Sequence, residues 1–274
     1  MAFIDTQLIT LKNMIEDSIR TGGVKGKESM IRSSALINLV HDAVKFELQA
    51  QGVNPDNIFP HFEKSKPEIK LAGLLKQKNQ DVCVIPSNVR KYKTEINWGP
   101  MAFQNKTDPY GFEFSTNTLV INIRSQMSSL AKNADTLFER TFAEALNLHM
   151  KYPDIVLGEV YLIPTHEYDD VAVSNYQVAF KSRQTDIEKY ISFFNSINNR
   201  RTDREEYMYE RCALLIVDFR ANVPKIFRSS DELKSAGLIS NDFPIEYKNL
   251  SFDNFAEDIL NIYGQRYDIK NMMC

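Results

Sequence analysis

The sequence predicts a mixed α/β protein in which helices cover the faces of a central sheet. Apolar runs short enough to be strands end at Ile85, Pro164 and Phe219, and the segments between them show apolar residues at helical spacing. In residues 119–126 apolar and polar side chains alternate, which is typical of a strand with two different faces. The elements follow in the order helices, strand, hairpin, helix, strand, helices, strand, helix. This order favours one sheet with helices on its faces.

Length and composition indicate an ordinary globular protein. The chain has 274 residues, of which 43% are hydrophobic and 25% charged, and this is enough for a sizeable core in one or two domains. We expect a single domain over residues 1–274, with a helical N-terminal extension over about residues 1–52. The formal net charge of −3 excludes a protein that coats nucleic acid through a global basic excess, but it is compatible with a local basic cleft.

Cysteine usage and hydropathy bear on the compartment. Cys83, Cys212 and Cys274 are scattered, without the close Cys or His pairs of a zinc site. Cys83 and Cys212 lie in apolar runs, which predicts buried free thiols. No basic N-terminal region precedes an apolar run, and no apolar run reaches ~20 residues. We therefore expect a cytoplasmic protein with no part in a membrane.

The N-terminal half is predicted to contain two helices, a loop, one strand and a surface insertion. Apolar residues at helical spacing indicate the helices, and glycines end them; three prolines indicate the loop, and turn residues with the only tryptophan indicate the insertion. These segments are, in order, the helices 1–20 and 29–51, the loop 53–67, the strand 81–85 and the insertion 87–110.

The C-terminal half is predicted to alternate between strands and helices. Leu119, Ile121 and Ile123 lie on one face of a strand, which we expect to form a hairpin with residues 111–114. The continuous apolar runs predict strands that are buried on both faces. The remaining segments are, in order, a central helix that includes 137–146, the strand 155–164, a long helical stretch over 173–211, the strand 212–219, a short helix capped by Ser230, and a final helix over 252–267.

The sequence contains none of the common catalytic motifs. The patterns GxGxxG, GxxxxGK[ST], GxSxG and HExxH are all absent. The four histidines, His41, His61, His149 and His166, are isolated in the sequence, and a lone histidine is more often structural than catalytic. The candidate chemistry therefore rests on acidic and polar residues at strand positions.

Asp81 and the polar face of the strand 119–125 are the strongest candidates. Asp81 opens an apolar strand, and a carboxylate that enters a buried strand must be paired, hydrogen-bonded or bound to a metal because isolated charge burial is costly. Asn122, Arg124 and Gln126 form the polar face of the next strand. Metal-dependent hydrolysis of a phosphodiester needs carboxylates on adjacent strands and a cation near the phosphate, which this arrangement resembles. An ordinary core strand that leads into a core helix would show the same pattern.

Four segments resemble type II restriction endonucleases of the PD-(D/E)XK superfamily, and within it the XhoI-type subgroup. They are QDVCVI, LVINIRSQ, KNADTLFERTFAEALNL and LGEVYLIP, and the similarity covers residues 67–165, with a weaker trace in YERCALLIVDF. The resemblance implies a restriction-endonuclease-like mixed central sheet flanked by helices. It also implies a Mg²⁺-dependent, sequence-specific endonuclease that cuts double-stranded DNA in a restriction-modification system and forms a homodimer.

The resemblance assigns roles to single residues. Asp81 takes the place of the metal-binding aspartate, whereas Asn122 stands where the family has a glutamate and Arg124 where it has a lysine. Glu113, on the expected partner strand of the hairpin, is the candidate for the missing carboxylate, so that Asp81 and Glu113 would bind the metal. Arginine stabilises transition-state charge but is a poor proton acceptor. The departures at Asn122 and Arg124 leave the activity open.

A literal match to the family motif lies elsewhere in the chain. Pro55-Asp56 followed by Glu68-Ile69-Lys70 spells the motif at an acceptable spacing. However, Glu68 follows a proline-containing segment rather than an apolar strand, and short acidic and basic patterns arise by chance in most chains of this size. Glu68 is also a candidate contributor from a helix that precedes the strand of Asp81.

DNA contacts are expected in the polar turn after the strand 119–125 and in the helix that follows it. Amide side chains pair with adenine edges, and serine and lysine suit phosphates or guanine. The candidates are Gln126, Ser128, Ser129, Lys132, Asn133 and Arg140, of which Arg140, like Glu144, matches the helix beside the site in the family. The alternative is a solvated turn in which Ser129 or Asn133 caps the helix. The basic run 198–204 is a second candidate phosphate contact.

Three hypotheses for the function follow. The first is a sequence-specific, Mg²⁺-dependent DNA endonuclease. The second keeps the fold but makes the protein a catalytically degenerate DNA-binding or assembly module. The third is an unrelated α/β protein with an interaction role.

Overall fold

A six-stranded mixed sheet forms the centre of the protein, which the computed structural model describes over residues 2–201 and 204–274. The strands are β1 (Ile58–Phe59), β2 (Ile69–Ala72), β3 (Gln77–Gln80), β4 (Val82–Val84), β5 (Thr94–Glu95), β6 (Thr107–Asp108), β7 (Leu119–Ser125), β8 (Val156–Pro164), β9 (His166–Tyr168), β10 (Phe180–Gln184), β11 (Arg211–Asp218) and β12 (Lys225–Ile226). The large sheet has the order β1-β4-β7-β8-β11-β12. β7, β8 and β11 run parallel, and the other neighbours are antiparallel.

Helices cover both faces of this sheet, which confirms the predicted mixed α/β class. The helices are α1 (Phe3–Arg32), α2 (Ser34–Ala50), α3 (Phe112–Asn117), α4 (Leu130–His149), α5 (Asp170–Ser174), α6 (Ile187–Ser196), α7 (Ser230–Ser235) and α8 (Phe255–Arg266). Apolar side chains of α1, α2 and α8 pack on one face, and those of α4 and α6 pack on the other. β8 and β11 are buried on both faces, as their continuous apolar runs predict. None of the described helices is long and apolar enough to cross a membrane.

The N-terminal helix is longer than predicted. It continues past the glycines expected to end it and is only kinked at Gly23, where φ is 54° and ψ is −135°. This left-handed conformation favours glycine, and a Cβ there would lie 3.3 Å from the carbonyl oxygen of Val173. Beyond the kink, buried Lys27 forms an ion pair of 3.1 Å with Asp170 of α5. This tertiary contact holds the helix in place as far as Arg32, and α2 then begins at Ser34 rather than Ser29.

The predicted hairpin before β7 is wrong, because residues 112–117 form the short helix α3. Phe114 is buried and stacks on Tyr110 with 4.6 Å between ring centroids, and the Thr118 hydroxyl donates to the Phe114 carbonyl oxygen across one helical turn. The antiparallel neighbour of β7 is instead β4, with Val82 opposite Ile121. A six-residue segment with apolar residues two apart suits a strand or one helical turn equally well, and packing decides between them.

Two further segments differ from prediction. Of the expected helical stretch 173–211, only α6 and the end of α5 are helical, because Phe180 pairs with Tyr168 across the β9–β10 hairpin and stacks on it at 4.6 Å. The polar segment before Asp81 forms the second strand of the β2–β3 hairpin. Ser229, rather than Ser230, caps α7 by accepting a hydrogen bond from the backbone of Glu232.

Candidate functional site

Asp81 lies at the point where β4 begins, beside the middle of β7. Its Oδ2 atom accepts a hydrogen bond of 2.9 Å from the backbone N–H of Ile123. Because β4 starts only at Val82, its backbone pairing with β7 does not reach this N–H, and the carboxylate of Asp81 occupies that place. The hydrogen bond therefore ties Asp81 to the backbone of the residue between Asn122 and Arg124.

The polar face of β7 points toward α4. Ile121 and Ile123 pack in the apolar cluster beneath α1 and α2, so the alternation of the strand turns Asn122 and Arg124 to the opposite face. Glu159 of β8 is the register partner of Asn122 on the neighbouring parallel strand, and its side chain shares that face. The sheet therefore brings Asn122, Arg124 and Glu159 together under α4.

Arg124 is the centre of a buried network of charged and polar groups. Its Nη1 atom donates a 2.7 Å hydrogen bond to the Thr141 hydroxyl, and its Nη2 atom donates to Glu144 Oε2. Nη1 also lies 3.4 Å from Glu159 Oε1. Burial alone would lower the pKa of Arg124, but the charge that Glu159 carries when it is ionised and the charge of Glu144 raise it above its ordinary value. The guanidinium therefore stays charged and holds α4 to the sheet.

Glu144 receives a second cation from outside the large sheet. Lys78 of β3 donates to the same Oε2 atom that accepts from Arg124. Burial alone would raise the pKa of Glu144, but the charges of Arg124 and Lys78 lower it below its ordinary value. Glu144 is therefore an ionised carboxylate that positions both cations.

Glu159 is in a different state from Glu144. It is 0% exposed, and neither carboxylate oxygen has a hydrogen-bond partner among the described residues. Burial raises the pKa of Glu159 to about 8, although the charge of Arg124 opposes the increase. The contact with Arg124 is too long and too weakly aligned to offset the lost hydration. At neutral pH Glu159 is therefore protonated.

Two buried amide side chains also have polar atoms without hydrogen-bond partners within the described part of the chain. Asn122 is 1% exposed and both its Oδ1 and Nδ2 atoms are unpaired; Gln80 is 1% exposed and its Oε1 atom is unpaired. Both side chains border a gap shared with Lys78 and Glu144 that is too small to hold a water molecule. Buried polar atoms normally find a hydrogen-bond partner, so these unpaired atoms distinguish Asn122 and Gln80 from ordinary buried residues.

Oxygen donors near Arg124 are of the type that a hard divalent cation binds. Residues 2–201 and 204–274 contain no group of three or more His, Cys, Asp or Glu residues spaced to hold a metal ion. The donors offered are instead mixed: the carboxylates of Asp81 and Glu159 and the Oδ1 atom of Asn122. Mg²⁺ binds oxygen ligands and usually takes only one or two carboxylates from the protein, with water and substrate as the other ligands. In donor type, these three residues therefore match a hard divalent cation.

Glu113 does not join this cluster. Instead of lying on a strand beside Asp81, it is exposed on the first turn of α3, before β7 begins. Within the described residues, no hydrogen bond or ion pair links its carboxylate to Asp81. The prediction that Glu113 supplies the missing carboxylate fails because residues 112–117 coil into a helix before the chain enters the sheet.

The expected DNA contacts divide into one buried residue and several accessible ones. Gln126 is 7% exposed; its Nε2 atom donates to the Ser129 carbonyl oxygen at 3.1 Å, and its Oε1 atom accepts hydroxyl hydrogen bonds of 3.3 Å from Tyr161 and Tyr190. It is therefore a structural residue with no free edge for a base. Ser128 is partly buried, whereas the remaining candidates are exposed: Ser129, Lys132, Asn133 and Arg140.

The start of α4 does not use either of the caps considered from sequence. Ser129 has a left-handed backbone with φ of 56° and makes no side-chain capping hydrogen bond. Instead, Glu167 of β9 accepts a 2.8 Å hydrogen bond from the backbone N–H of Leu130. This leaves Ser129 and Asn133 without a capping role and keeps their side chains at the surface.

The other sequence candidates lie apart or are structural. In the literal motif, Asp56 is exposed in a 3-10 turn before β1, while Glu68 precedes β2 and accepts from the Asn79 side chain at 2.7 Å. In the basic run 198–204, Asn198 and Arg200 are buried and bind the backbone of Cys212 and the side chain of Glu210, respectively. Thr202 and Asp203 lie outside the described residues.

Three residues near Asp81 were not found from the sequence. A signal for Glu159 is present in the sequence, since it is the only charged residue in the nine-residue apolar strand β8. Lys78 had none, because its strand is polar throughout. His41 of α2 has a buried, unpaired Nε2 atom within the described structure; burial lowers its pKa, and the charge of Asp81 opposes this effect. His41 is therefore neutral at pH 7 and close enough to Asp81 to sense its charge.

Comparisons of the chain with protein-family models, with curated proteins and with solved structures gave no match. The geometry of the cluster around Arg124 therefore carries the functional argument.

Proposed function

We propose that this protein is a Mg²⁺-dependent endonuclease that cuts double-stranded DNA at a specific sequence, as type II restriction enzymes do. One observation carries the proposal. Glu159 of β8 is the register partner of Asn122, and Lys78 of β3 donates to Glu144, so in this proposal they take the places of the carboxylate and the lysine that β7 lacks. The mixed sheet with helices on both faces agrees with the fold that the sequence resemblance implies.

The residues of the cluster have separate roles in this proposal. Asp81, Asn122 and Glu159 would hold the ion, which acts as a Lewis acid on the scissile phosphate when bound. Arg124 keeps a permanent positive charge beside that position, and such a charge stabilises the excess negative charge of a phosphodiester transition state. Glu144 orients the guanidinium and keeps it from rotating away. Holding these groups on strands and one helix fixes their geometry.

Cleavage of unmethylated phage DNA with Mg²⁺ tests the proposal. The wild type is expected to give discrete bands, and Asp81→Ala is expected to give none while it still binds DNA in EDTA. Asp17→Ala is the matched control, since Asp17 is an exposed aspartate whose side chain is 72% accessible on α1. If Asp81→Ala cuts as well as the wild type, the assigned site is wrong. If the wild type gives no bands with Mg²⁺ or Mn²⁺, the proposed activity is wrong.

A second candidate function is a DNA-binding or assembly module without catalysis. The observation in its favour is that Arg124 is already bound by Glu144 and lies beside Glu159, as in a structural ion-pair network. Sequence-specific binding in EDTA without cleavage in Mg²⁺ would support this alternative. We also propose that the protein is a homodimer on a palindromic site; light scattering with a short duplex should then give two protein chains per duplex.

A further inference from the structure

A cavity is bordered by Arg124 and lies apart from the unpaired amides of Asn122 and Gln80. It has a volume of about 360 Å³ and separates the α1–α2 junction from the end of β7. Its polar lining consists of Arg32, Ser33, Ser34, Arg124 and Ser125, and Tyr161 is among the remaining lining residues. None of the residues that line it is acidic. The lining therefore carries two positive charges, whose carboxylate partners Glu28 and Glu144 lie outside it.

Two guanidinium groups supply these charges. The Arg124 side chain is 17% exposed and is held in place by Glu144, whereas the Arg32 side chain is 79% exposed. Arg32 has only a long ion pair of 3.6 Å with Glu28, which is 52% exposed, and such a surface pair is weak. Arg32 is therefore free to turn toward a stronger anion. Guanidinium groups bind phosphate oxygens through two parallel hydrogen bonds, so a fixed and a mobile arginine at one cavity suit a phosphate.

The N-terminus of α2 adds to this preference. α2 has 17 residues, its first turn contains no acidic residue, and no side chain caps it. Ser33, at the N-cap position, instead donates its hydroxyl back to the Met30 carbonyl oxygen at 2.7 Å. The positive end of the helix dipole and the serines at its start therefore border the same cavity as the two arginines.

We propose that this cavity binds a backbone phosphate of a DNA strand, next to the phosphate that reacts at the cluster around Asp81. The inference rests on the proposed function for its choice of nucleic acid as the source of the phosphate. Arg124 lines this cavity and its side chain belongs to the cluster, so the two positions share one residue. Arg32 and Ser34 are then DNA-binding residues, although neither lies in the segment whose sequence resembles nucleases.

Binding of a fluorescein-labelled duplex in EDTA tests this inference without requiring cleavage. Arg32→Ala removes an exposed side chain, so the protein should fold normally. Loss of one phosphate contact is expected to lower the affinity about eight-fold at 0.1 M NaCl and to reduce the slope of log K against log [NaCl] by about one. Arg20→Ala is the control, because it removes the same charge from a 53% exposed side chain elsewhere on α1.

Ser34→Asp separates binding from folding. Aspartate in the first turn of a helix stabilises the helix, so the melting temperature should stay the same or rise, while the new carboxylate should repel a phosphate and lower the affinity at least as much as Arg32→Ala does. If both Arg32→Ala and Ser34→Asp bind like Arg20→Ala, or if the wild type binds no duplex, the inference is wrong. If they weaken binding but the wild type cuts no DNA, the phosphate site stands and the nuclease proposal fails.

Discussion

Replacement of Glu159 by glutamine is expected to stabilise the protein and to abolish the DNA cleavage that we propose for it. Glu159 is fully buried, and its carboxylate has no hydrogen-bond partner among the described residues. Burial raises its pKa from 4.5 to about 8. The folded protein must therefore keep a proton on Glu159 that the unfolded chain gives up at lower pH.

The size and sign of the effect follow from this difference. In the unfolded chain Glu159 loses its proton near pH 4.5, whereas in the folded protein it keeps the proton up to about pH 8. Below pH 4.5 both states are protonated, and the residue costs nothing through ionisation. Between these values the folded state binds more protons, so stability falls as the pH rises. At pH 7 the cost is about 3 kcal/mol, and Glu159→Gln removes it because an amide does not ionise.

Urea unfolding of the wild type and of Glu159→Gln in EDTA, from pH 4 to pH 8, measures this effect. The two proteins are expected to differ little at pH 4, and the advantage of the variant should grow steadily to pH 8. Glu139→Gln is the control, because Glu139 is exposed on α4 and should show no such trend. If Glu159→Gln is less stable than the wild type by the same amount at every pH, Glu159 is ionised and paired with Arg124, and the assignment of its protonation state is wrong.

Three further predictions concern other buried positions. Burial alone would raise the pKa of Glu210, but opposing interactions, among them the one with His149, lower it to about 2. Glu210→Gln should therefore cost about 3 kcal/mol of stability at pH 7 and remove the stability loss between about pH 4.5 and pH 2. Denaturation at several pH values measures both effects. Asn122→Asp should cost roughly 3 kcal/mol in EDTA because it buries an unpaired carboxylate, and Mg²⁺ should restore part of the lost melting temperature; no recovery would contradict a metal site. Gly158→Ala should cost about 1–3 kcal/mol in urea unfolding, because its Cβ would lie 2.6 Å from the Ile259 side chain, and an unchanged midpoint would refute this.

The parts of the fold that the sequence predicts well are those with a strong periodic signal. β7, β8 and β11 were found because alternation or continuous apolar character over seven to nine residues leaves little choice of structure. α3 was mistaken for a strand because six residues do not distinguish a period of two from one helical turn. The β9–β10 hairpin was missed because its strands are held by one ring stack and by turns rather than by an apolar face.

The candidate site was only half predictable for a related reason. The sequence indicates Asp81, Asn122 and Arg124 because they belong to strands that can be recognised in the sequence. These strands, β4 and β7, are neighbours in the sheet. Glu159 and Lys78 come to the site through strand register and through a hairpin outside the large sheet, and neither can be read from a local pattern. Long-range pairing therefore brings together a carboxyl and an ammonium group that no local pattern indicates.

The state of Glu159 bears on whether Arg124 has a structural or a functional role. A structural network would pair the guanidinium with two ionised carboxylates, and both would have lowered pKa values. Here only Glu144 has a lowered pKa. Lys78 also pairs with Glu144, so Glu144 keeps a cation if Arg124 moves. Glu159 is neutral and holds the guanidinium weakly, at 3.4 Å, beside unpaired amide atoms of Asn122. Stability alone would favour an apolar residue at position 159, because a neutral, unbonded carboxyl contributes nothing to packing that a hydrocarbon would not. A fully buried carboxyl without a hydrogen-bond partner among the described residues needs a reason beyond packing, and in the nuclease proposal that reason is a bound cation.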